Sequence, residues 1–387
     1  MEALKIAIIG GGIGGLSAAI ALRKLGYAPV VYERALGLSE VGQGLGLFAN
    51  AVRALDWLGV GDEVRNVGWR FEKARTYSAT GRLLVATDPI QEERRSGIPS
   101  LLIMRTRLQE ILFSALPQSS IQFGAHLDTV VEQYDGVRLA FKGGESETVD
   151  IVIGADGWSS AVAKSQFKTP PPRYSGLICW RGLASGDVLK ESLELPIVQG
   201  RGPQMGIGPL SANTCYWFVA FPGPADSGPT SATQAKASLE EMVRTFPFAA
   251  REIVATTDPD NMLRTDLYDR DAIDCWSKGH ITLLGDAAHP MLPTLGQGAA
   301  MAIEDAVVLA RKIAAHGVSV EKALVAYQNV RKPRTDVVVS NARMLGRLGK
   351  ITNHALVGLR DVSARMTPSF VTDRTAKTIL SYDSTSV

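Results

Sequence analysis

Three cysteines in 387 residues, at positions 179, 215 and 275, are odd in number and widely scattered. They cannot build a disulfide framework, and no C-x-x-C or H-x-x-x-H spacing offers a zinc site. Such sparing use of cysteine suits a reducing compartment, so a cytoplasmic home is expected. An excess of either charge is also missing, with 41 Lys+Arg against 39 Asp+Glu. That excludes the concentrated positive surface of a nucleic-acid binder. Long uninterrupted apolar runs are lacking too. Residues 6–22 come nearest, but glycines break them, no basic leader precedes them, and strand-like sequence follows directly. Neither a signal peptide nor a membrane span is read there. There are no internal repeats and no long low-complexity segment. The length allows two domains, and a mean hydropathy of +0.06 leaves room for a generous apolar pocket.

What the chain does have begins at residues 3–34, ALKIAIIGGGIGGLSAAIALRKLGYAPVVYER. A short apolar run at 5–9 reads as a buried strand. Gly10, Gly12 and Gly15 follow on the spacing G-x-G-x-x-G, then an alanine- and leucine-rich helix, then a second apolar strand ending in Glu33. The first glycine permits a tight turn, the second lets the backbone approach a pyrophosphate, and the third allows close helix–strand packing. The free N–H groups at the helix start face the phosphates. Glu33 is placed to accept hydrogen bonds from an adenosine ribose. Dinucleotide binding is the reading.

Further on, residues 39–50 are glycine-rich and turn into a helical pattern at 51–58, closed by Gly59. The alternation at 67–87, with Gly81 at a turn, predicts an antiparallel hairpin. Residues 104–116 read as a helix with Arg105 at its start, and 121–123, 129–134 and 137–141 as a small meander. A buried strand at 149–153 runs into Gly154–Gly157. Prolines 170–172 mark a crossing into strands spread over 177–221, followed by helices at 235–246 and 247–257. A third buried strand, 280–284, leads into GDAAHPMLPTLGQGAAMAIEDA at 285–306. A helix is expected from Gly298 to about residue 315, then helical segments at 320–331 and 336–348 and a less regular tail with a frayed end.

These three strand-end motifs, at 10–15, 154–157 and 285–298, together resemble the FAD-dependent aromatic hydroxylases. These are single-component flavoprotein monooxygenases built like 4-hydroxybenzoate hydroxylase. The likeness covers residues 3 to about 340, and its local wording (YSGLICWRG at 174–182, LLGDAAHPMLPTLGQG at 283–298) is nearest to zeaxanthin epoxidases, urate hydroxylases and salicylate hydroxylases. The implied fold is α/β. A Rossmann-like FAD-binding domain (1–75, 101–170, 276–335) would be interleaved with a smaller mixed-sheet substrate domain (76–100, 171–275) and followed by a C-terminal helical segment (336–387). The resemblance implies that Gly10, Gly12 and Gly15 take the FAD pyrophosphate, with Glu33 and Arg34 at the adenosine end and Leu127 meeting the adenine. Gly46 lies in a loop where a ligand approaches closely. Arg105 would stand near the flavin phosphate and ribityl chain, and Asp286 would bind the ribityl hydroxyls. Gly296, Gln297, Gly298, Ala299 and Ala300 would offer backbone N–H groups to the flavin pyrimidine. A helix starting near Gly298 independently aims its positive end where charge appears on reduction.

The implied reaction uses NAD(P)H as transient co-substrate and O2, and hydroxylates or epoxidises an aromatic or conjugated small molecule through a flavin hydroperoxide. No side chain is assigned as catalytic; Pro290 and Pro293 shape the flavin face, and His289 is read as structural. The substrate is expected between that face and the second sheet, near Arg181, Gln204 and Tyr216. Residues 216, 218 and 220 share one strand face and 217, 219 and 221 the other; both are apolar, so sequence does not choose between them. Two departures from the family stand out. Ala163 occupies the position where the family usually has arginine, and Gln204 falls where urate hydroxylases place a substrate arginine. Three alternatives stay open: an FAD-binding oxidoreductase without oxygenation, an NAD(P)-dependent dehydrogenase, and an FAD-holding homologue without turnover. Tryptophan halogenases would need W-x-W-x-I-P, and Baeyer–Villiger enzymes a second glycine fingerprint; neither is present. No metal, nucleic acid or transmembrane segment is expected, and the protein is read as monomer or homodimer.

Overall fold

The apolar run Ile6–Ile9 is the centre of a six-stranded sheet. The order across it is Ser277–Lys278, Ile281–Leu283, Ile151–Gly154, Ile6–Ile9, Val30–Glu33 and Ile121–Phe123. All neighbours run parallel except the first pair. Strands buried on both faces read as continuous apolar runs, which is how these three motif-bearing strands were visible in sequence. The computed structural model describes residues 4–38, 43–134, 136–186, 193–229, 231–317 and 319–387. The Ser39–Gly42 part of the glycine-rich stretch lies outside them.

Register matters more here than strand count. Ile9 pairs with Gly154, and Gly154 with Leu283, so the three motif-bearing strands end level. The ladder runs one residue further: Ala155 N–H donates to Ile9 O at 2.8 Å, and Leu284 N–H to Gly154 O at 2.9 Å. Three segments distant in sequence therefore leave the sheet at one carboxyl edge, where open α/β sheets bind ligands. Helix Ile13–Lys24 packs against helix Gly298–His316 through small residues; a Cβ on Gly14 would meet Ala302 Cβ at 3.2 Å.

A seven-stranded sheet stands opposite, ordered Met262–Asp269, Arg173–Ser185, Thr214–Pro222, Gln204–Ser211, Glu194–Gln199, Lys73–Ser78 and Leu83–Thr87. Ile178, Trp180, Trp217 and Val219 fill one face against helices Ala232–Met242 and Ala250–Thr256. The alternate residues, Cys179, Arg181, Tyr216, Phe218 and Ala220, point the other way, into the cavity.

Several expectations need correcting. The predicted meander does not form: Ile121–Phe123 joins the parallel sheet, and Ser146–Val149 replaces it beside Gly136–Phe141 and Leu127–Gln133. Short apolar strands carry no periodicity that names their neighbour. Only Lys73–Ser78 and Leu83–Thr87 make the hairpin, while Trp69–Phe71 pairs with Ser100–Met104. The strand Met262–Asp269 was missed altogether. The two helical segments are one helix, Val320–Gly349, with Pro333 inside it. Flanking Arg331 and Arg334 are both anchored to Glu304, so packing overrides the proline. The tail is helical too, at His354–Met366 and Ser369–Leu380, and its end is not frayed: Ser384 is buried and Val387 packs on the core.

Candidate functional site

Gly10 turns the chain out of the sheet at φ +110°, where a Cβ would sit 2.5 Å from the Ala155 carbonyl oxygen. Gly15 is pressed closer still, its hypothetical Cβ 1.9 Å from Gly10 O. Gly12 meets nothing within 4 Å. It is the N-cap of helix Ile13–Lys24 and supplies no capping side chain, so the first-turn N–H groups stay free for an anion. Glu33 steadies this turn, accepting from Gly11 N–H at 2.6 Å and Ala35 N–H at 2.8 Å. Gln109, which no sequence motif flagged, donates to Gly11 O at 2.9 Å from helix Arg105–Ser114.

A single cavity of about 1320 Å³ runs from this turn to the face of the large sheet. Gly10, Gly12, Glu33, Arg34, Gly46, Arg105 and Leu127 all line it, and so do Asp286, Pro293 and Gly296–Ala299. Gly15 and Ala300 do not; Gly15 acts through packing, and Ala300 is buried in the core. Pro290 does not reach the lining either, being buried behind it, so of the two prolines only Pro293 shapes the cavity wall. Gly46 belongs to the strand Gly44–Leu47 rather than to a loop. In that strand Gly44 makes room for Tyr216, whose Cγ lies 2.4 Å from where a Cβ would stand.

Asp286 sits in the turn Gly285–Ala287, and its Oδ1 would lie 3.9 Å from a Cβ on Gly298, at the start of helix Gly298–His316. Its carboxylate opens to the cavity and accepts no hydrogen bond among the described residues. Although it is exposed to the cavity, loss of solvation between the cavity walls raises its pKa above the ordinary carboxylate value, while His289 and Arg105 pull the other way. Arg105 also lines the cavity with its guanidinium unpaired among the described residues; its backbone N–H donates to Gln43 O at 2.8 Å. A polyol seated between these two unspent charges would satisfy the carboxylate with hydroxyl donors. Free helix-start amides, an open Gly12 and an unpartnered Asp286 fit FAD.

His289 has a different employment. Its Nε2 lies 2.6 Å from Asp305 Oδ2, which also accepts from Gly285 N–H at 3.0 Å. Arg331 completes the cluster at 2.6 Å from Asp305 Oδ1 and 2.7 Å from Glu304. Glu304 further binds Arg334 and Asn50, and Asn50 donates to Gln297 Oε1 at 3.1 Å. At the departure from the family pattern, Ala163 is wholly buried and its N–H is capped by Ser160 Oγ at 2.8 Å.

On the sheet side, Arg181, Gln204 and Tyr216 line the same cavity. Arg181 donates to Thr265 Oγ1 and lies beside the Tyr216 hydroxyl, whose ionisation burial opposes. No carboxylate pairs with Arg181 among the described residues. The choice left open by the aromatic strand is made: Tyr216, Phe218 and Ala220 face the cavity, while Trp217 is core, donating to Thr257 Oγ1 at 2.8 Å.

A family model described as an FAD binding domain matches residues 3–342. The chain is 32% identical over 372 residues to the aurachin C monooxygenase/isomerase of Stigmatella aurantiaca, with 95% of each chain covered. It is 35% identical over 351 residues to 3-amino-4-hydroxybenzoate 2-monooxygenase of Streptomyces cremeus, covering 88% of this chain and 86% of that one. The crystal structure of Klebsiella pneumoniae HpxO complexed with FAD and uric acid superposes with a TM-score of 0.90 at 28% identity, covering 98% of this chain and 97% of that one.

Proposed function

This chain belongs to the FAD-dependent aromatic hydroxylases, flavoprotein monooxygenases that use NAD(P)H and O2, and from that premise we propose how its own residues hold the cofactor and select the substrate. The observation that carries the proposal is the shared cavity, onto which the Gly10 turn, Asp286, the Gly296–Ala299 segment and Arg181 all open. Bound FAD supplies the redox and oxygen chemistry; the protein supplies binding, orientation and exclusion of water.

The amides after Gly12 take the pyrophosphate, with Glu33, Arg34 and Leu127 at the adenosine end. Asp286 accepts from ribityl hydroxyls, and Arg105 balances its charge. The start of helix Gly298–His316 cushions negative charge on the ring. Pro293 and Gly296 form one wall of the substrate space, and Tyr216, Phe218 and Gln204 the other. Arg181 is a half-buried cation without an acidic partner among the described residues, and withdrawing an unpaired charge from water is costly. A substrate with a carboxylate, phenolate or enolate beside its ring would relieve that cost. The six-stranded sheet with its helices is read as the cofactor unit and the seven-stranded sheet as the substrate unit.

Among the described residues no helix is long and apolar enough to cross a membrane. Three free cysteines support a cytoplasmic setting, with the protein a monomer or homodimer. The test is substrate-stimulated NAD(P)H oxidation by the yellow holoenzyme across a panel of acidic aromatics, with labelled O2. One labelled oxygen atom in the product supports the reading; oxidation that yields only peroxide with every candidate overturns it.

A further inference from the structure

Away from the Gly10 turn the cavity lining changes character. The end of helix Val320–Gly349 and the two helices after it contribute Met344, Leu348, Leu356, Leu359, Ile379 and Leu380. Several are large apolar side chains left open: Met344 is 52% exposed, Leu348 38%, Leu356 52% and Leu359 63%. The two last helices pack along strand Leu83–Thr87, which adds Leu84 and Val85 to the same walls. Among the described residues, the one charged side chain these two helices place in the lining is Arg360. Its guanidinium is already spent on Gly200 O at 3.2 Å and on Asp361 at 2.8 Å.

This apolar corridor adjoins the ring site directly. Thr294 Oγ1, on the Pro293–Leu295 turn, donates to Ala342 O at 2.6 Å, two residues before Met344. At the helix end, Gly349 lies against Gln204, its hypothetical Cβ 3.1 Å from the Gln204 Oε1. A small polar ring held between Pro293 and Tyr216 would leave the corridor uncovered. Val362 and Met366 face outward and do not line the cavity, whereas Leu356 and Leu359 do.

We propose that the corridor receives a hydrocarbon tail, so that the substrate is an acidic aromatic head carrying a medium or long alkyl chain. The inference rests on the reading above, in which the head lies between the flavin and Arg181. Arg181 then supplies polar orientation at one end, and the helical wall supplies affinity along the tail.

The test uses FAD-loaded enzyme and 6-alkylsalicylates from methyl to pentadecyl, kept below their micellar concentrations. Dissociation constants are read from the perturbed absorbance of bound FAD. Affinity should rise with each methylene, by up to about fourfold (about 0.8 kcal/mol per buried CH2), and level off when the corridor is full. The double variant Leu356→Asn/Leu359→Asn changes exposed positions and should keep its fold and FAD. It should flatten the series while leaving the methyl compound's constant within about twofold. A flat series in the native enzyme, no binding by any member, or an unchanged slope in the variant overturns the inference. So does a variant whose oligomeric state shifts while its slope stays the same. A protein that stays colourless with added FAD sinks the cofactor reading instead, so the two failures are distinguishable.

Discussion

Asp286 shows how a single side chain can be costly to the empty protein and useful to the loaded one. Its carboxylate is open to the cavity and unpartnered among the described residues, with a pKa raised by partial loss of solvation between the cavity walls. A raised folded value means that its proton stabilises the fold. That contribution is complete below the ordinary carboxylate range and is lost as pH rises through the raised value. Asp286→Asn should therefore melt higher than the native apoprotein, with a gap that widens as pH rises out of the acid range. It should also bind FAD about 10- to 100-fold more weakly, as expected for losing charge-assisted bonds of about 1.5–3 kcal/mol. Thermal scans and FAD fluorescence titration check both halves. Arg181→Met should leave FAD affinity unchanged but raise KM about 10-fold or more for acidic aromatics, read by steady-state NAD(P)H oxidation. At this scale Asp286 and Tyr216 were named by the family resemblance, and Arg181 because a charge stands in an otherwise apolar alternating row. Gln109 and Gly44 were illegible, since their partners, Gly11 and Tyr216, lie 98 and 172 positions away in sequence.

Elements were legible where periodicity or a glycine fingerprint fixed them, and less so where tertiary packing chose the partner. The strand–turn–helix at the start was plain because Gly10 and Gly15 answer local steric demands. Gly15→Ala would press a methyl against the Gly10 carbonyl, a backbone atom that cannot step aside. We expect a loss of more than about 3 kcal/mol and little FAD-loaded protein, measured by denaturant unfolding and bound-flavin absorbance. The drift of Ile121–Phe123 into the parallel sheet was not legible: three apolar residues fit either neighbour. Pro333 misled for a related reason, because helix propensity is a weak prior against anchored arginines on both sides. The tail was read as irregular since its apolar residues face a cavity rather than a solid core, which blurs their pattern.

Across the whole molecule, a buried ionic cluster ties the cofactor side to the C-terminal helices. Burial works against charge at Asp305, yet His289 and Arg331 hold its pKa down to about 2. A lowered carboxylate value stabilises the fold above the unfolded value near 3.8, and that support is lost as pH falls from there toward 2. Arg331→Met would remove the cation shared by two buried carboxylates, leaving Glu304 to Arg334 and Asp305 to His289, and should cost about 1.5–3 kcal/mol by denaturant unfolding at neutral pH. It should also reduce the sensitivity of unfolding to acid over that window. His289 and Asp305 share the motif at 285–306, but the arginines that complete the cluster come from the next helix, Val320–Gly349, which carries no motif to mark them.

One thread of that cluster reaches further. Asn50 joins Gln297 to Glu304, Glu304 holds Arg334, and Arg334 in turn grips the Thr378 and Ile379 carbonyls at 3.1 and 3.0 Å. The helical wall of the cavity is thus fastened to helix Gly298–His316, whose start is proposed to face the ring. Chimeras that graft these closing helices from a relative, in order to change what is oxygenated, are not modular swaps. Unless the graft carries matching anchors for Arg334, it will disturb the proposed flavin seat along with the cavity wall.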